Sequence, residues 1–336
     1  MRFMDKTQQQ KEKVALLSVV SNSLLVILKL AVGFLIGAVS IISEAIHSAV
    51  DLVAALIAMF SVKTSSVPAD KRHPFGHGKI ENISGTVEAL LIFLAAGWII
   101  FEAAKKIRHP EPIAYVSWGV GVMLVSAVFN IVVSNMLFKV ARETDSVALE
   151  ADAWHLRTDV YTSAGVMVSL ALIWAGGWIF PGADLTWLDP AAAIGVALLI
   201  IKAAYDLTLR SAKDLMDVQL PSQEVNWIRE LIRAHRPVIH GFHQLRTRKA
   251  GNFRFVEFHL KVDPGMTVED SHRVTEELSG KIESHFPRSS VTIHIEPCDG
   301  DCVGNCLEGC LLTEETRRTM VRKISPFKIK KRSQPN

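Results

Sequence analysis

Two stretches of this sequence place a histidine four residues before an aspartate within otherwise apolar surroundings. The first reads Ser43-Glu44-Ala45-Ile46-His47-Ser48-Ala49-Val50-Asp51, the second Asp152-Ala153-Trp154-His155-Leu156-Arg157-Thr158-Asp159. On a helix, residues four apart lie one above the other, so each pair presents an imidazole and a carboxylate on one face. An ionisable side chain in hydrocarbon is costly and needs a partner, which makes a functional role its default reading. One pair alone is equally well explained as a buried interhelical hydrogen bond. Two identical pairs in different spans favour a joint role. Together, two imidazole nitrogens and two carboxylate oxygens form a tetrahedral set of the ligand types zinc accepts, and the two aspartates neutralise a dication.

The elements that must hold these residues are apolar helices. Of 336 residues, 49% are hydrophobic and 21% charged, and the two classes are segregated. Six stretches approach the roughly 20 apolar residues that cross a bilayer as a helix: 14–37, 40–62, 83–107, 113–138, 147–180 and 188–209. Asp189-Pro190 suits the N-cap and first helical residue of the last. The first run lacks a small-residue cleavage site and reads as an uncleaved span. Lysines and arginines at Lys6, Lys11, Lys13, Lys63, Lys71, Arg72, Lys79, Lys139, Arg142, Arg210 and Lys213 fall on one side, the cytoplasmic one, with both termini; Lys105, Lys106 and Arg108 oppose that vote. The expected location is the cytoplasmic (inner) membrane.

Beyond Asp217 the pattern changes to helix 222–235, strands 243–248 and 253–262, helix 268–286 and strand 290–296. That αββαβ order gives a three-stranded sheet covered by helices on one face. The expected organisation is therefore an N-terminal segment 1–13, a six-helix transmembrane domain 14–211, a small α+β domain 212–297 and a tail 298–336. The net charge of +3 and the lack of a basic patch with interleaved aromatics point away from nucleic acid.

Other residues also suit metals. Asp70, His73 and His77 lie in the polar loop after the second span, where His-x-x-x-His beside a carboxylate fits a solvent-accessible site; a loop whose Gly76 and Gly78 serve turns fits as well. All four cysteines, Cys298, Cys302, Cys306 and Cys310, recur every fourth residue, which on a helix keeps the thiols together for zinc or another soft metal. An unliganded thiol-rich segment is the alternative. The tail then turns basic at Arg317, Arg318, Arg322, Lys323, Lys328, Lys330, Lys331 and Arg332, suited to anionic membrane lipid or to plain solvation.

The two His-x-x-x-Asp pairs, the loop Pro68-Ala69-Asp70 with His73-Pro74-Phe75-Gly76-His77-Gly78-Lys79, and Leu245-Arg246-Thr247-Arg248 carry a family resemblance. From the first span to Glu296 the chain resembles the cation diffusion facilitator family. That resemblance implies a six-helix metal/proton antiporter with a cytoplasmic metallochaperone-like, ferredoxin-like domain. It implies that His47, Asp51, His155 and Asp159 form the transport site, with Zn2+ favoured and iron, cadmium, cobalt and manganese open, and with protons as counter-substrate. It further implies a metal site at Asp70, His73 and His77, and a Lys79–Asp217 ion pair locking a homodimer. A regulatory cluster at His243, His259, His272, His294 and Glu296 also follows, although the family's last ligand there is typically Asp. His235, His240 and His285 match no family ligand.

Two other classes weigh against this reading. A membrane metallohydrolase needs an open coordination position and a general base, and neither pair supplies a His-Glu-x-x-His arrangement. A metal sensor that does not transport would tolerate loss of either membrane pair, and both are intact. No Gly-x4-Gly-Lys-Ser/Thr loop signals nucleotide-driven transport.

Overall fold

The computed structural model describes residues 2–36, 39–108, 117–179, 187–299 and 307–319. They form two compact units, one of Met1–Met216 with Ala250–Asn252 and one of Asp217–Lys249 with Phe253–Asn336.

The first unit holds six long helices: α1 (Arg2–Ile36), α2 (Val39–Ser65), α3 (Lys79–Arg108), α4 (Ser117–Thr144), α5 (Val147–Ile179) and α6 (Leu188–Leu215). Among the described residues five helices are long and apolar enough to cross a membrane, covering Lys6–Val32, His47–Ser65, Lys79–Arg108, Leu124–Thr144 and Pro190–Leu215. The first half of α5 carries Glu150, Asp152, Arg157 and Asp159, and its second half carries no charge. Several helices outrun their apolar stretches. The polar segment 1–13, expected to stand apart, is helical from Arg2, and α6 continues to Leu215 rather than 209. It also starts at Leu188, ahead of the expected Asp189 cap, with Pro190 in the first turn, where a missing N–H costs nothing.

α1 packs chiefly on α2, α3 on α6 and α4 on α5, while α2 also meets α5. Small residues permit this closeness, as expected where helices associate without a hydrophobic driving force. Ala54, Ala55 and Ala58 of α2, Ala89 and Ala96 of α3, and Ala148, Ala151 and Ala153 of α5 are fully buried. At Gly85 an added Cβ would lie 2.8 Å from Val147 Cγ1 and 3.0 Å from Ser211 Oγ, so α3, α5 and α6 meet only over a glycine.

At one end of the bundle sits a buried ion pair between Lys11 of α1 and Glu81 of α3, both side chains fully inaccessible. The Glu81 carboxylate also accepts from Ser65 Oγ at 2.8 Å and Ser146 Oγ at 2.6 Å. One carboxylate thus ties together α1, the end of α2, α3 and the approach to α5.

The second unit contains α7 (Ser222–Arg233), β1 (Ile239–Ala250), β2 (Phe253–Val262), α8 (Val268–His285) and β3 (Ser289–Pro297), the expected αββαβ order. The sheet order is β1-β2-β3, and β2 and β3 run parallel across the α8 crossover. Val256, Phe258 and Leu260 of β2 pack with Ile228 and Ile232 of α7 and Leu278 and Ile282 of α8 into one core, with Ile293 and Ile295 of β3 at its margin. The helices therefore cover one face. Thr267 caps α8 by accepting from Asp270 N at 3.0 Å; α7 has no side-chain cap bond.

The segment expected as tail is partly built into this domain. Phe242 N donates to Gly309 O at 3.0 Å and Leu311 N to His240 O at 2.8 Å, so 309–311 lies along the edge of β1. Leu311 joins the core. A Cβ at position 309 would fall 1.6 Å from Phe242 O, which reserves that place for glycine.

Removing one partner of a buried ion pair strands the other charge, a loss of roughly 3–5 kcal/mol. Glu81→Ala is accordingly expected to lower thermal stability in detergent by about that much, and Lys11→Met with Glu81→Leu by clearly less. A single variant as stable as wild type would remove Lys11–Glu81 from the structural framework.

Candidate metal centre

His47 and Asp51 project from α2, His155 and Asp159 from α5. The pairing is crossed: His155 Nε2 lies 3.0 Å from Asp51 Oδ1 and His47 Nε2 lies 3.5 Å from Asp159 Oδ1. Crossed pairing is what two helices of opposite sense produce when each carries histidine before aspartate. Ligand atoms of His47, Asp51 and Asp159 all lie within 4.8 Å of one another. His155 stands beside them through its bond to Asp51, and its Nδ1 is buried without a hydrogen-bond partner. Asp51 and His155 are buried, while the His47 side chain is 54% exposed. A cavity of about 590 Å³ opens here, lined by all four residues together with Lys29 and Asn130.

Two helpers stand outside the His-x-x-x-Asp pairs. Asn130 of α4 donates from Nδ2 to Asp159 Oδ2 at 3.3 Å, orienting that carboxylate. Lys29 faces the bundle and donates to Ser48 Oγ at 2.8 Å. Spacing on one helix gave no signal for either contact, since both depend on which helices are neighbours.

The loop residues also converge. Asp70 lies 3.3 Å from His73 Nδ1 and 3.5 Å from His77 Nε2, with the imidazole centroids 4.3 Å apart. Backbone N–H groups of His73 and Arg72 donate to Asp70 Oδ1 at 2.6 and 2.8 Å. These bonds, that from His73 foremost, hold the Asp70 carboxyl below its ordinary range. Gly76 takes a left-handed turn, φ 81°, with its N–H on His73 O, so the turn role and the clustering of ligand types coexist.

On the sheet face away from the helices, His259 Nδ1 lies 2.7 Å and His294 Nε2 3.8 Å from Glu296 Oε1, and His243 Nε2 lies 3.5 Å from Oε2. Strand register explains this grouping: His259 pairs with His294, and Lys261 with Glu296. Glutamate at 296 reaches all three histidines. His272 does not join them in the described contacts; on α8 it is 68% exposed and faces Glu276 at 3.4 Å. Lys261, absent from the expected set, donates to Glu296 at 2.7 Å. Two residues beyond His259 on the same strand face, it was legible once the register of β3 was known. Burial pushes the His243 pKa down.

The other expected residues lie outside these clusters. Lys79 Nζ lies 3.5 Å from Leu215 O, and Asp217 lies 3.6 Å from Arg248. Cys298 is buried beyond β3 and Cys310 forms a bridge to Gly241 of β1, so these two do not share the helix expected for the cysteine run. Cys302 and Cys306, and the basic tail from Arg322, lie outside the described residues.

Burial raises the Glu296 pKa, but hydrogen bonds from Lys261 and His259 outweigh it and hold the group at about 2, against 4.5 for a free glutamate. A depressed folded pKa stabilises above the unfolded value and is lost as pH falls through the folded one. In the metal-free protein, Glu296→Gln should therefore weaken amide-exchange protection of β3 at pH 5 and above, with the difference from wild type closing as pH approaches 2. A difference constant across that range would contradict the assignment.

Comparison with known proteins follows the same division. Residues 15–216 match the cation efflux transmembrane domain, and residues 220–298 match the cytoplasmic domain of cation efflux proteins. The chain is 34% identical to an uncharacterized transporter of Synechocystis sp., over 81% of this chain and 86% of that one. It is 32% identical to the cation-efflux pump FieF of Yersinia pestis, over 88% and 96%. The metal-bound C-terminal domain of the CzcD transporter from Thermotoga maritima is 27% identical over 23% of this chain and 94% of that one, with a TM-score of 0.21. A membrane-spanning helical unit and a small α/β unit, each matched to its counterpart, place the chain in the cation diffusion facilitator family, whose members are transporters and not enzymes.

Proposed function

We propose that this transporter exports a divalent cation, zinc foremost, in exchange for protons, working as a homodimer in the cytoplasmic membrane with both termini inside. The observation that carries the reading is the convergence of His47, Asp51 and Asp159 within 4.8 Å across two helices, with His155 bonded to Asp51. Two imidazoles and two carboxylates are a zinc set. Fe2+, Cd2+, Co2+ and Mn2+ remain alternative cargoes for the same ligands.

The crossed pairs suggest how exchange is coupled. Without cargo, each carboxylate is satisfied by an imidazole of the opposite helix, and the bond between His155 and Asp51 holds a proton. A metal ion needs the imidazole lone pair and the ionised carboxylates, so binding displaces protons and protonation displaces metal. Asn130 keeps Asp159 turned toward the cavity. When α2 and α5 move with their neighbours, the site is offered to the other side, and the proton gradient sets the direction. Asp70, His73 and His77 are proposed as a second metal site, and Lys79 with Asp217 as a lock between subunits. His243, His259, His294 and Glu296 would bind regulatory metal, with Lys261 as the counter-charge that metal displaces. His272 would need to reach this cluster by a movement of α8 or from a second subunit.

Proteoliposome flux across a pH gradient, with a panel of divalent metals, tests the transport site. Asp51→Ala and Asp159→Ala should each lower metal-coupled proton movement by at least the roughly 10–100-fold that loss of even an outer-shell metal partner costs. Undiminished coupling in both variants would overturn it. A chain ending at Val218 should lose the dependence of rate on cytoplasmic metal; unchanged rate and dependence would end the regulatory reading.

A further inference from the structure

A second polar cavity lies on another face of α4 and α5 and plays no part in the transport reading. It measures about 560 Å³ and is lined by Asn135, Phe138, Lys139, Arg142 and Glu143 of α4 and by Trp154, Arg157 and Tyr161 of α5. The spacings show two helical stripes facing one another: 135, 138, 139 and 142 on one side, and 154, 157 and 161 on the other.

Phe138 is the hub of the cleft. The Arg142 and Arg157 guanidiniums lie 5.9 and 5.6 Å from its centroid, and Trp154 packs edge-on at 5.2 Å. Two cations gathered on one ring repel each other unless an anion lies between them. Among the described residues none of Lys139, Arg142 and Arg157 forms an ion pair with a carboxylate. Arg157 Nη2 donates to Asn135 Oδ1 at 2.6 Å, while its Nε is buried without a partner.

Depth sharpens the problem. Arg157 stands between His155 and Asp159 in the chain, so its Cα lies within about 3 Å, along the helix axis, of each transport ligand's level. An arginine at that level is expensive without an anion. Lys139 and Arg142, nearer the end of α4, lie toward the headgroups, and Trp154 and Tyr161 line the cleft within about one turn of Arg157. Below the cleft, α4 continues as an exposed apolar stripe through Val132 and Val128, suited to an acyl chain.

We propose that this cleft binds the phosphate of an anionic phospholipid headgroup, with the lipid tail lying along α4. Guanidiniums offer paired donors that match phosphate oxygens, and a zwitterionic lipid would bring its own cation into a cleft that is already positive.

The test uses the full chain in mild detergent with equimolar phosphatidylglycerol and phosphatidylcholine, and native mass spectrometry reads the retained lipid. Wild type should retain phosphatidylglycerol preferentially. The preference should fall about fivefold for each cation removed in Arg142→Gln and Arg142→Gln/Arg157→Gln, and Arg142→Lys should keep most of it. Because Arg142 is exposed, its variants report on the cleft even if the Arg157 change disturbs packing. No preference in wild type, or an unchanged preference in the double variant, overturns the proposal. So does a cleft that takes up inorganic phosphate but does not discriminate between the two lipids.

Discussion

A carboxylate at the centre of an apolar bundle has no water to solvate it, so something in the protein must. Asp51, 3% exposed, meets that requirement with an imidazole from another helix. Much of the architecture can be read as the consequence. Satisfying Asp51 from α5 requires α2 and α5 to touch, and touching requires alanine-rich faces. The partner supplied is a histidine and not a lysine or arginine. An imidazole can give up its proton near neutral pH and become a ligand, whereas a guanidinium would make the same bond permanently. On the proposed function, the site is thus satisfied without cargo by groups that can be released to bind it.

The same requirement is met differently elsewhere in the bundle. Lys11 and Glu81 form a buried ion pair, with two serine hydroxyls donating to the carboxylate's remaining acceptor positions, an arrangement that fixes helices in place. The contrast is useful: lysine and glutamate tie helices together at one end, and histidine and aspartate line the cavity between α2 and α5.

Much of this was legible in the sequence because its signals are local. His-x-x-x-Asp is a statement about one helix face, apolar length is a statement about one span, and the β-strands announced themselves by alternation. What the sequence hid was relational. Nothing in the composition of α1 said that Lys11 would be fully buried against Glu81, seventy residues on. Lys261 became part of the Glu296 cluster only through strand register, and Asn130 found Asp159 only through helix adjacency. The cysteine repeat misled for a related reason. A four-residue period suits a helix, but the backbone at 309–311 has a better use along β1, where its hydrogen bonds and Leu311 are both satisfied.

That short return segment has a further consequence for how the sheet meets other molecules. A three-stranded sheet has two lateral edges, each a row of unsatisfied donors and acceptors that invites another strand. Here 309–311 occupies part of the β1 edge, leaving the β3 edge as the more open one among the described residues. Copies of this domain are thereby discouraged from joining edge to edge on the β1 side, and the sheet face that carries the histidines is left as the more available surface for association. A few residues beyond the last strand thus act as negative selection on geometry, narrowing the ways in which two such domains can come together.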